Sequence, residues 1–201
     1  MSLTKSILEG NRLALARLLT QVENDSSEGR GALAELFPNT GKAHLIGVTG
    51  APGTGKSSLV NQLALGYRKK AAKKIAIIAV DPSSPFTGGA VLGDRVRMRD
   101  LSGDEGVFIR SMASRGSLGG IAQKTASVVQ VFDAAGYEII IIETVGAGQS
   151  EVDVARLAHT TIATSCGLRS AALNLRREPE NDLAFWARSV RLALTVRHAT
   201  A

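Results

Sequence analysis

One segment of the chain has the residue types and the spacing of a phosphate-binding loop. Residues 50–57, GAPGTGKS, match the pattern G-x-x-x-x-G-K-[ST] at every fixed position. Glycines let successive backbone N–H groups curl around phosphate oxygens without Cβ clashes. In such loops the lysine, here Lys56, reaches the β- and γ-phosphates, and the hydroxyl of Ser57 binds Mg²⁺. We therefore predict a nucleoside triphosphate site made by Gly50, Ala51, Pro52, Gly53, Thr54, Gly55, Lys56, Ser57 and Ser58.

Two acidic residues stand where apolar runs end, and both are candidate magnesium ligands. Asp81 follows IAIIAV, and Glu143 follows IIII. A phosphate-binding loop needs a carboxylate at the tip of a neighbouring strand to hold the metal and its water shell. A charged group directly after buried aliphatic residues also calls for a partner. An exposed loop carboxylate or a helix cap is the alternative for each.

Two further segments could act on a γ-phosphate. Residues 143–146, ETVG, are a variant of the D-x-x-G pattern in which the backbone N–H of Gly146 contacts the γ-phosphate. Loss of that phosphate would release the segment. Asp94 lies in a long loop rich in glycine, serine and arginine, and is a third candidate ligand for metal or water. A solvated basic edge is the bland interpretation of that loop.

Composition limits the classes of protein that fit. The chain has 201 residues, 44% hydrophobic and 21% charged, which suits one globular domain and excludes disorder along its whole length. We see no apolar run of about 18 residues and no secretory signal, so we expect no membrane association. A single cysteine fits a reducing cytoplasm. Aromatic residues at 4% and the lack of a nucleic-acid motif argue against nucleic acid as a partner.

The elements that must position these residues alternate between strand and helix. Ser2–Phe37 has helical periodicity, which the polar stretch Glu23–Gly31 breaks into two helices. Continuous apolar runs then predict strands that are buried on both faces. Alternation of this kind predicts an α/β fold with a mainly parallel sheet. The predicted strands are His44–Thr49, Ile75–Val80, Val107–Arg110 and Glu138–Ile142, and the helices between and after them are Lys56–Lys70, Gly120–Ala135 and Val152–Ala158.

Four strings in fixed order resemble one protein family. They are GAPGTGKSS, AVDPSSPFTGGAVLGDRVRM, VFIRSMASRGSLGG and IIETVGAGQSEVDVARLA. They are similar to the methylmalonyl-CoA mutase-associated GTPases of the MeaB/ArgK type, historically described as LAO/AO transport ATPases. The resemblance runs from about Leu8 to Thr161. It implies a P-loop NTPase fold preceded by N-terminal helices.

The resemblance also implies an activity and partners. Members of this family hydrolyse GTP with Mg²⁺ and act as chaperones of an adenosylcobalamin-dependent methylmalonyl-CoA mutase, and they form homodimers. The resemblance implies catalytic roles for Lys56, Asp94 and Glu143. It implies a metal site made by Ser57, Asp81, Asp94 and Glu143, and it puts Gly146 and Gln149 in the second switch.

The chain departs from the family after Thr161. There the family continues towards an N-K-x-D motif that recognises guanine and then towards a helical dimerisation segment. This sequence contains no N-K-x-D, and we expect the dimerisation segment to be absent from it as well. Residues 162–201 carry six arginines and no lysine. A shifted reading frame or a truncated gene copy would produce such a tail. We therefore expect three parts, a helical segment (1–41), a partial GTPase core (42–161) and a divergent tail (162–201), and an incomplete C-terminal half of the fold.

The tail leaves its own structure and the function open. Asp182–Val196 has the spacing of an amphipathic helix, although the tail as a whole lacks strand alternation and is not expected to complete the sheet. Without the base-recognition motif, a nucleotide-binding remnant without turnover is the alternative to a GTPase. A small-molecule kinase is a third interpretation, since such enzymes also pair a phosphate-binding loop with a strand-tip acid.

Overall fold

Three short helices precede the sheet. The computed structural model describes residues 2–81, 101, 103–113, 120–144, 149–165 and 191–196. Each of the three helices is capped at its start by a serine or asparagine side chain that accepts a backbone N–H. They are α1 (Leu3–Leu8), α2 (Arg12–Glu23) and α3 (Ser27–Leu36), and a 3₁₀ turn (Phe37–Asn39) follows them.

The prediction of two helices in this segment is wrong, because there are three. Between α1 and α2 the chain turns at Gly10, which has φ +87°, and the next residue, Asn11, is the N-cap of α2. The second break is also shorter than predicted, since α3 includes Gly29. A Cβ there would lie 2.9 Å from the backbone of Gln21. Gly29 therefore serves close packing between α2 and α3 rather than a turn.

The rest of the described chain forms one sheet with helices on both faces. Five strands are parallel and run in the order β3-β2-β4-β1-β5, and a sixth pairs antiparallel with β5. The strands are β1 (His44–Gly50), β2 (Ile75–Asp81), β3 (Val107–Ala113), β4 (Ile139–Thr144), β5 (Thr160–Ser165) and β6 (Arg191–Val196); the helices are α4 (Lys56–Ala71), α5 (Gly120–Ala134) and α6 (Gln149–Leu157). The predicted α/β class with a mainly parallel sheet is confirmed.

Two hydrophobic cores lie on opposite faces of the sheet. One contains residues of the N-terminal helices, α5 and α6, such as Leu18, Phe132 and Val154. The other contains residues of α4, such as Leu59 and Val60. The residues of β2 and β4 alternate between the two cores, which explains why these strands have continuous apolar sequences. None of the helices in the described part of the chain is long and apolar enough to cross a bilayer.

Two segments of the tail take part in the sheet, contrary to expectation. β5 crosses the predicted boundary at residue 161. An amphipathic helix was one interpretation of Asp182–Val196, but Arg191–Val196 form the strand β6. β6 aligns Val196 with Thr160 and Arg191 with Ser165. Pairing with β5 satisfies backbone groups that the edge of a sheet leaves open, and this outweighs helical periodicity in a six-residue run. Residues 182–190 lie outside the described part of the chain.

Helix α2 is fastened at both ends to the edge strand β3. The guanidinium of Arg12 donates to the carbonyls of Glu105 and Val107 and lies 5.2 Å from the ring centroid of Phe108. At the other end of α2, Glu23 accepts two hydrogen bonds from Arg110, at 2.6 and 2.8 Å. The Arg12 contacts occupy alternate carbonyls of the edge and so limit its pairing with another chain.

Helix α4 is fastened to the segment that leads into β3. Arg68 binds both carboxylate oxygens of Asp104 and also donates to the carbonyls of Ala72 and Lys73, where α4 ends. Its hydrogen bonds hold the pKa of Asp104 below the ordinary value. Gly106 packs against this guanidinium, since a Cβ there would lie 2.2 Å from Arg68. The helix that begins at the phosphate loop thus has a fixed far end.

Replacement of Arg110 tests its ion pair with Glu23, which joins β3 to α2. We expect Arg110→Met to lower the free energy of unfolding by about 1–2 kcal/mol, because it leaves the partly buried carboxylate of Glu23 without its bidentate partner. Urea unfolding measures the change. Arg30→Met is the matched control, since its ion pair with Asp25 is mostly exposed, and we expect a loss of at most about 0.5 kcal/mol. Equal losses of unfolding free energy in the two variants would contradict a special role for the Arg110–Glu23 pair.

Candidate nucleotide site

The phosphate loop lies between the end of β1 and the start of α4. Gly53 and Gly55 have φ values of +79° and +85°, which favour glycine, and a Cβ on either would meet nothing within 4 Å. Gly55 is the N-cap of α4 and provides no side-chain cap. The first N–H groups of a helix have no carbonyl partner within it, so they face the loop with the positive end of the helix dipole. This geometry suits a bound phosphate.

Gly50 is required by the close approach of β5. It has φ +135° and pairs with Thr164, and a Cβ at this position would lie 2.1 Å from the Thr164 carbonyl oxygen. Atoms cannot approach to that distance, so a side chain here would push the loop away from β5. The first glycine of the motif therefore brings β1 and β5 together beside the loop.

Lys56 is held inside the loop. Its side chain is buried, and its Nζ donates to the carbonyl oxygens of Gly50 at 2.6 Å and Ala51 at 2.9 Å. Both acceptors belong to the first residues of the loop. The ammonium thus lies within the curve that the loop makes, where it can meet phosphate oxygens.

Ser57 and Glu143 meet in a direct hydrogen bond. Ser57 lies in the first turn of α4, and Glu143 is the fifth residue of β4 and only 2% exposed. The Ser57 Oγ donates to Glu143 Oε1 at 2.6 Å. β4 neighbours β1 with Val48 opposite Glu143, so the carboxylate comes to the strand end next to the loop. A hydroxyl and a carboxylate oxygen side by side are the hard donors that Mg²⁺ prefers, and the pair fits that ion.

The structure describes some of the remaining predicted residues. Asp81 ends β2, and it lies at the same end of the sheet as Glu143, since β2 pairs with β4 up to Val80 and Thr144. The side chain of Asp81 is not described. Ser58 is exposed in the first turn of α4. Gln149 begins α6, and its side chain is likewise not described. Asp94 and Gly146 lie outside the described residues.

One threonine beside the loop, Thr164, was missed by sequence reasoning. Thr164 lies in β5, and its hydroxyl oxygen is 2.7 Å from that of Thr54, which was predicted as a residue of the loop; both residues are buried. The signal that could have found Thr164 is a polar residue at the carboxyl end of a strand, the feature that singled out Asp81 and Glu143. Among the side chains the structure describes, no three or more His, Cys, Asp or Glu residues cluster as a metal site.

The chain is similar in sequence to one family of GTPases. Residues 15–169 match the family model described as "Methylmalonyl Co-A mutase-associated GTPase MeaB". A protein of Pyrococcus horikoshii is 49% identical over 160 residues, covering 80% of this chain and 50% of that protein. GTPase ArgK of Escherichia coli is 40% identical over 163 residues, covering 79% of this chain and 49% of ArgK. The methylmalonic aciduria type A homolog of Caenorhabditis elegans is 39% identical over 166 residues, covering 76% and 42% respectively.

A solved structure supports the fold. The crystal structure of LAO/AO transport system kinase superposes with a TM-score of 0.65 at 31% identity, and the match covers 81% of this chain and 48% of that one. The fold is therefore that of a P-loop NTPase. The chain spans about half the length of the curated relatives named above.

Alanine substitution of loop glycines tests the close approach to β5. We expect Gly50→Ala to lower the free energy of unfolding by at least about 1 kcal/mol more than Gly53→Ala, because both have positive φ but only Gly50 faces the Thr164 carbonyl. Urea unfolding of the two variants measures this difference. Similar losses in both would show that conformational strain alone, and not contact with β5, requires Gly50.

Proposed function

Because this chain belongs to the family of methylmalonyl-CoA mutase-associated GTPases, we propose that it binds GTP with Mg²⁺ and hydrolyses it to GDP and phosphate. The observation that carries this proposal is the convergence of Lys56, Ser57 and Glu143 beside one phosphate loop. Phosphoryl transfer needs little covalent chemistry from a protein, and positioning with electrostatic stabilisation provides most of the catalysis.

The loop and the start of α4 would hold the triphosphate. N–H groups of Gly53, Gly55 and Lys56 donate to phosphate oxygens, with the dipole of α4 adding positive potential. The Lys56 ammonium turns from its carbonyl partners towards the β- and γ-phosphates, where it balances negative charge that grows as the reaction proceeds. Ser58, exposed in the first turn, is the last residue of the proposed cradle.

Ser57 and Glu143 would hold the metal. Ser57 offers its hydroxyl oxygen once its proton no longer bonds to Glu143, and the carboxylate holds the ion's water shell. When bound, Mg²⁺ neutralises charge on the β- and γ-phosphate oxygens. Asp81 and Asp94 are proposed as further carboxylates of this site, on the family pattern given above.

Hydrolysis would be an in-line displacement by water. The water oxygen forms a bond to the γ-phosphorus while the bond from that phosphorus to the β–γ bridging oxygen breaks. The leaving oxygen stays on GDP, and the proton of the water passes to the released phosphate. Asp94 and Glu143 are proposed to orient the water and the metal's ligands, and the Gly146 N–H is proposed to contact the γ-phosphate.

The proposed partner is an adenosylcobalamin-dependent methylmalonyl-CoA mutase, which the protein would serve as a chaperone. Two observations support it: the description of the matching family names that mutase, and a relative at 39% identity is named for methylmalonic aciduria.

A nucleotide-binding protein without turnover is the second candidate. The specific observation in its favour is that no N-K-x-D stands anywhere in the 201 residues, so the residues that read guanine in related proteins are not present in this sequence. The phosphate loop could then hold a triphosphate whose base is not selected.

Removal of the Lys56 ammonium tests the phosphate site. We expect Lys56→Ala to lower the rate of Mg²⁺-dependent GTP hydrolysis at least about a hundredfold, because a preorganised cation no longer meets the developing charge. Phosphate release assays measure the rate. Lys69→Ala, an exposed lysine near the end of the same helix, is the control and should keep the wild-type rate. Turnover that persists in Lys56→Ala would refute the assignment.

The nucleotide and the metal decide between the two candidates. We expect the wild-type chain to release phosphate from GTP with Mg²⁺ and to stop when EDTA removes the metal, since the Ser57–Glu143 pair is proposed to need the ion. Affinities for GTP and ATP with Mg²⁺ are measured beside the rates. Equal weak binding of both nucleotides without any phosphate release would favour the binding protein over the GTPase.

A further inference from the structure

Two buried hydroxyls connect the phosphate loop with the strand on its far side. Thr54 lies in the loop and is 9% exposed, and Thr164 lies in β5 and is 3% exposed. The Thr54 Oγ1 donates to the Ala51 carbonyl at 2.8 Å and lies 2.7 Å from the Thr164 Oγ1. The Thr164 Oγ1 in turn lies 3.1 Å from the carbonyl of Thr49, the last-but-one residue of β1.

The number of protons decides which of these bonds form together. Two hydroxyls have two protons, and there are three contacts that need one each. If Thr164 donates to Thr54, then Thr54 can donate to the Ala51 carbonyl, and the two shortest contacts form at once. If Thr164 donates to the Thr49 carbonyl instead, Thr54 can form only one of the two shorter contacts, and the second hydrogen bond is the 3.1 Å one. Because shorter O–H···O contacts are the stronger ones, the chain that runs from Thr164 through Thr54 to Ala51 is favoured.

That chain ends on a carbonyl which Lys56 also uses. The Ala51 oxygen accepts from the Lys56 Nζ at 2.9 Å and from Thr54 at 2.8 Å. When a phosphate attracts the ammonium, the Thr54 hydroxyl continues to hold this carbonyl. Water cannot easily replace the hydrogen-bond partner of either hydroxyl, because both residues are buried. The orientation of Thr54 therefore depends on its partner in β5.

We propose that Thr164 is a positioning residue for the nucleotide site: its hydroxyl orients Thr54, which fixes the turn of the phosphate loop at Ala51. The proposal rests on the proposed function, because it assigns a role in triphosphate binding. Thr164 touches no phosphate itself and acts through Thr54 alone. Gly50, which has no room for a side chain beside the Thr164 carbonyl, keeps the two strands close enough for this contact.

The test compares full-length variants that remove one hydroxyl each. Thr164→Val keeps the shape of the side chain and removes both the donor and the acceptor, Thr54→Val does the same at the other end, and Thr164→Ser restores the hydroxyl. Thr161→Val is the matched control, since Thr161 lies on the same strand opposite Gly47 rather than Gly50. Binding of a fluorescent GTP analogue with Mg²⁺ and steady-state GTP hydrolysis are measured, and thermal unfolding checks that each variant folds.

We expect Thr164→Val to weaken binding of the analogue and raise KM about three- to tenfold, the effect of one net hydrogen bond, with a smaller change in kcat. Thr164→Ser should bind within about twofold of wild type, and Thr161→Val should match wild type. The double variant Thr54→Val/Thr164→Val should bind no more weakly than the weaker single variant, because both residues act through one contact. Wild-type affinity in Thr164→Val, or additive losses in the double variant, would overturn the proposal.

A second readout separates this proposal from the proposed function. Hydrogen exchange of the amides of residues 51–58 is measured without nucleotide, and Thr164→Val should exchange faster than wild type and Thr161→Val. If the wild-type chain binds no triphosphate, the proposed function fails, and the exchange rates still decide whether Thr164 orders the loop. Unchanged exchange in Thr164→Val would count against the positioning role whatever the chain binds.

Discussion

Parallel pairing of β1 with a strand on each side is the constraint on which the candidate nucleotide site depends. β1 pairs with β4 on one side and β5 on the other, and all three strands point the same way. The carboxyl ends of parallel strands meet at one edge of the sheet, which is where open α/β sheets bind their ligands. Glu143 from β4 and Thr164 from β5 therefore reach the phosphate loop from opposite sides. The loop itself begins where β1 ends.

The helices keep that edge in place by fastening the sheet elsewhere. α4 carries Ser57 at its start and Arg68 near its end, where the bond to Asp104 ties it to the segment before β3. α2 is tied to β3 by Arg12 and Arg110. In these contacts an arginine donates to a backbone carbonyl or to a partly buried carboxylate. They therefore restrict the strands more than exposed ion pairs can.

Sequence reasoning predicted most of the strands, and it proposed site residues that the structure brings together beside the phosphate loop, for identifiable reasons. The phosphate loop is a contiguous motif whose chemistry depends on local backbone geometry, and strands buried on both faces have continuous apolar sequences. Glu143 was named as a candidate because an acid directly after IIII calls for a partner. The errors came where a local signal had two interpretations: Gly29 packs against α2 instead of breaking a helix, and Arg191–Val196 pair with β5 instead of forming a helix.

By itself, the sequence determined the fold class, the phosphate loop and the roles open to Lys56 and Ser57, because these follow from periodicity and from residues adjacent in the chain. Only the tertiary structure decided which distant groups meet there. Ser57 and Glu143 are 86 positions apart, and Thr54 and Thr164 are 110 apart. Such contacts depend on strand order and register, which short-range patterns do not encode. Strand order is set by which buried faces and backbone groups can be satisfied together across the whole sheet.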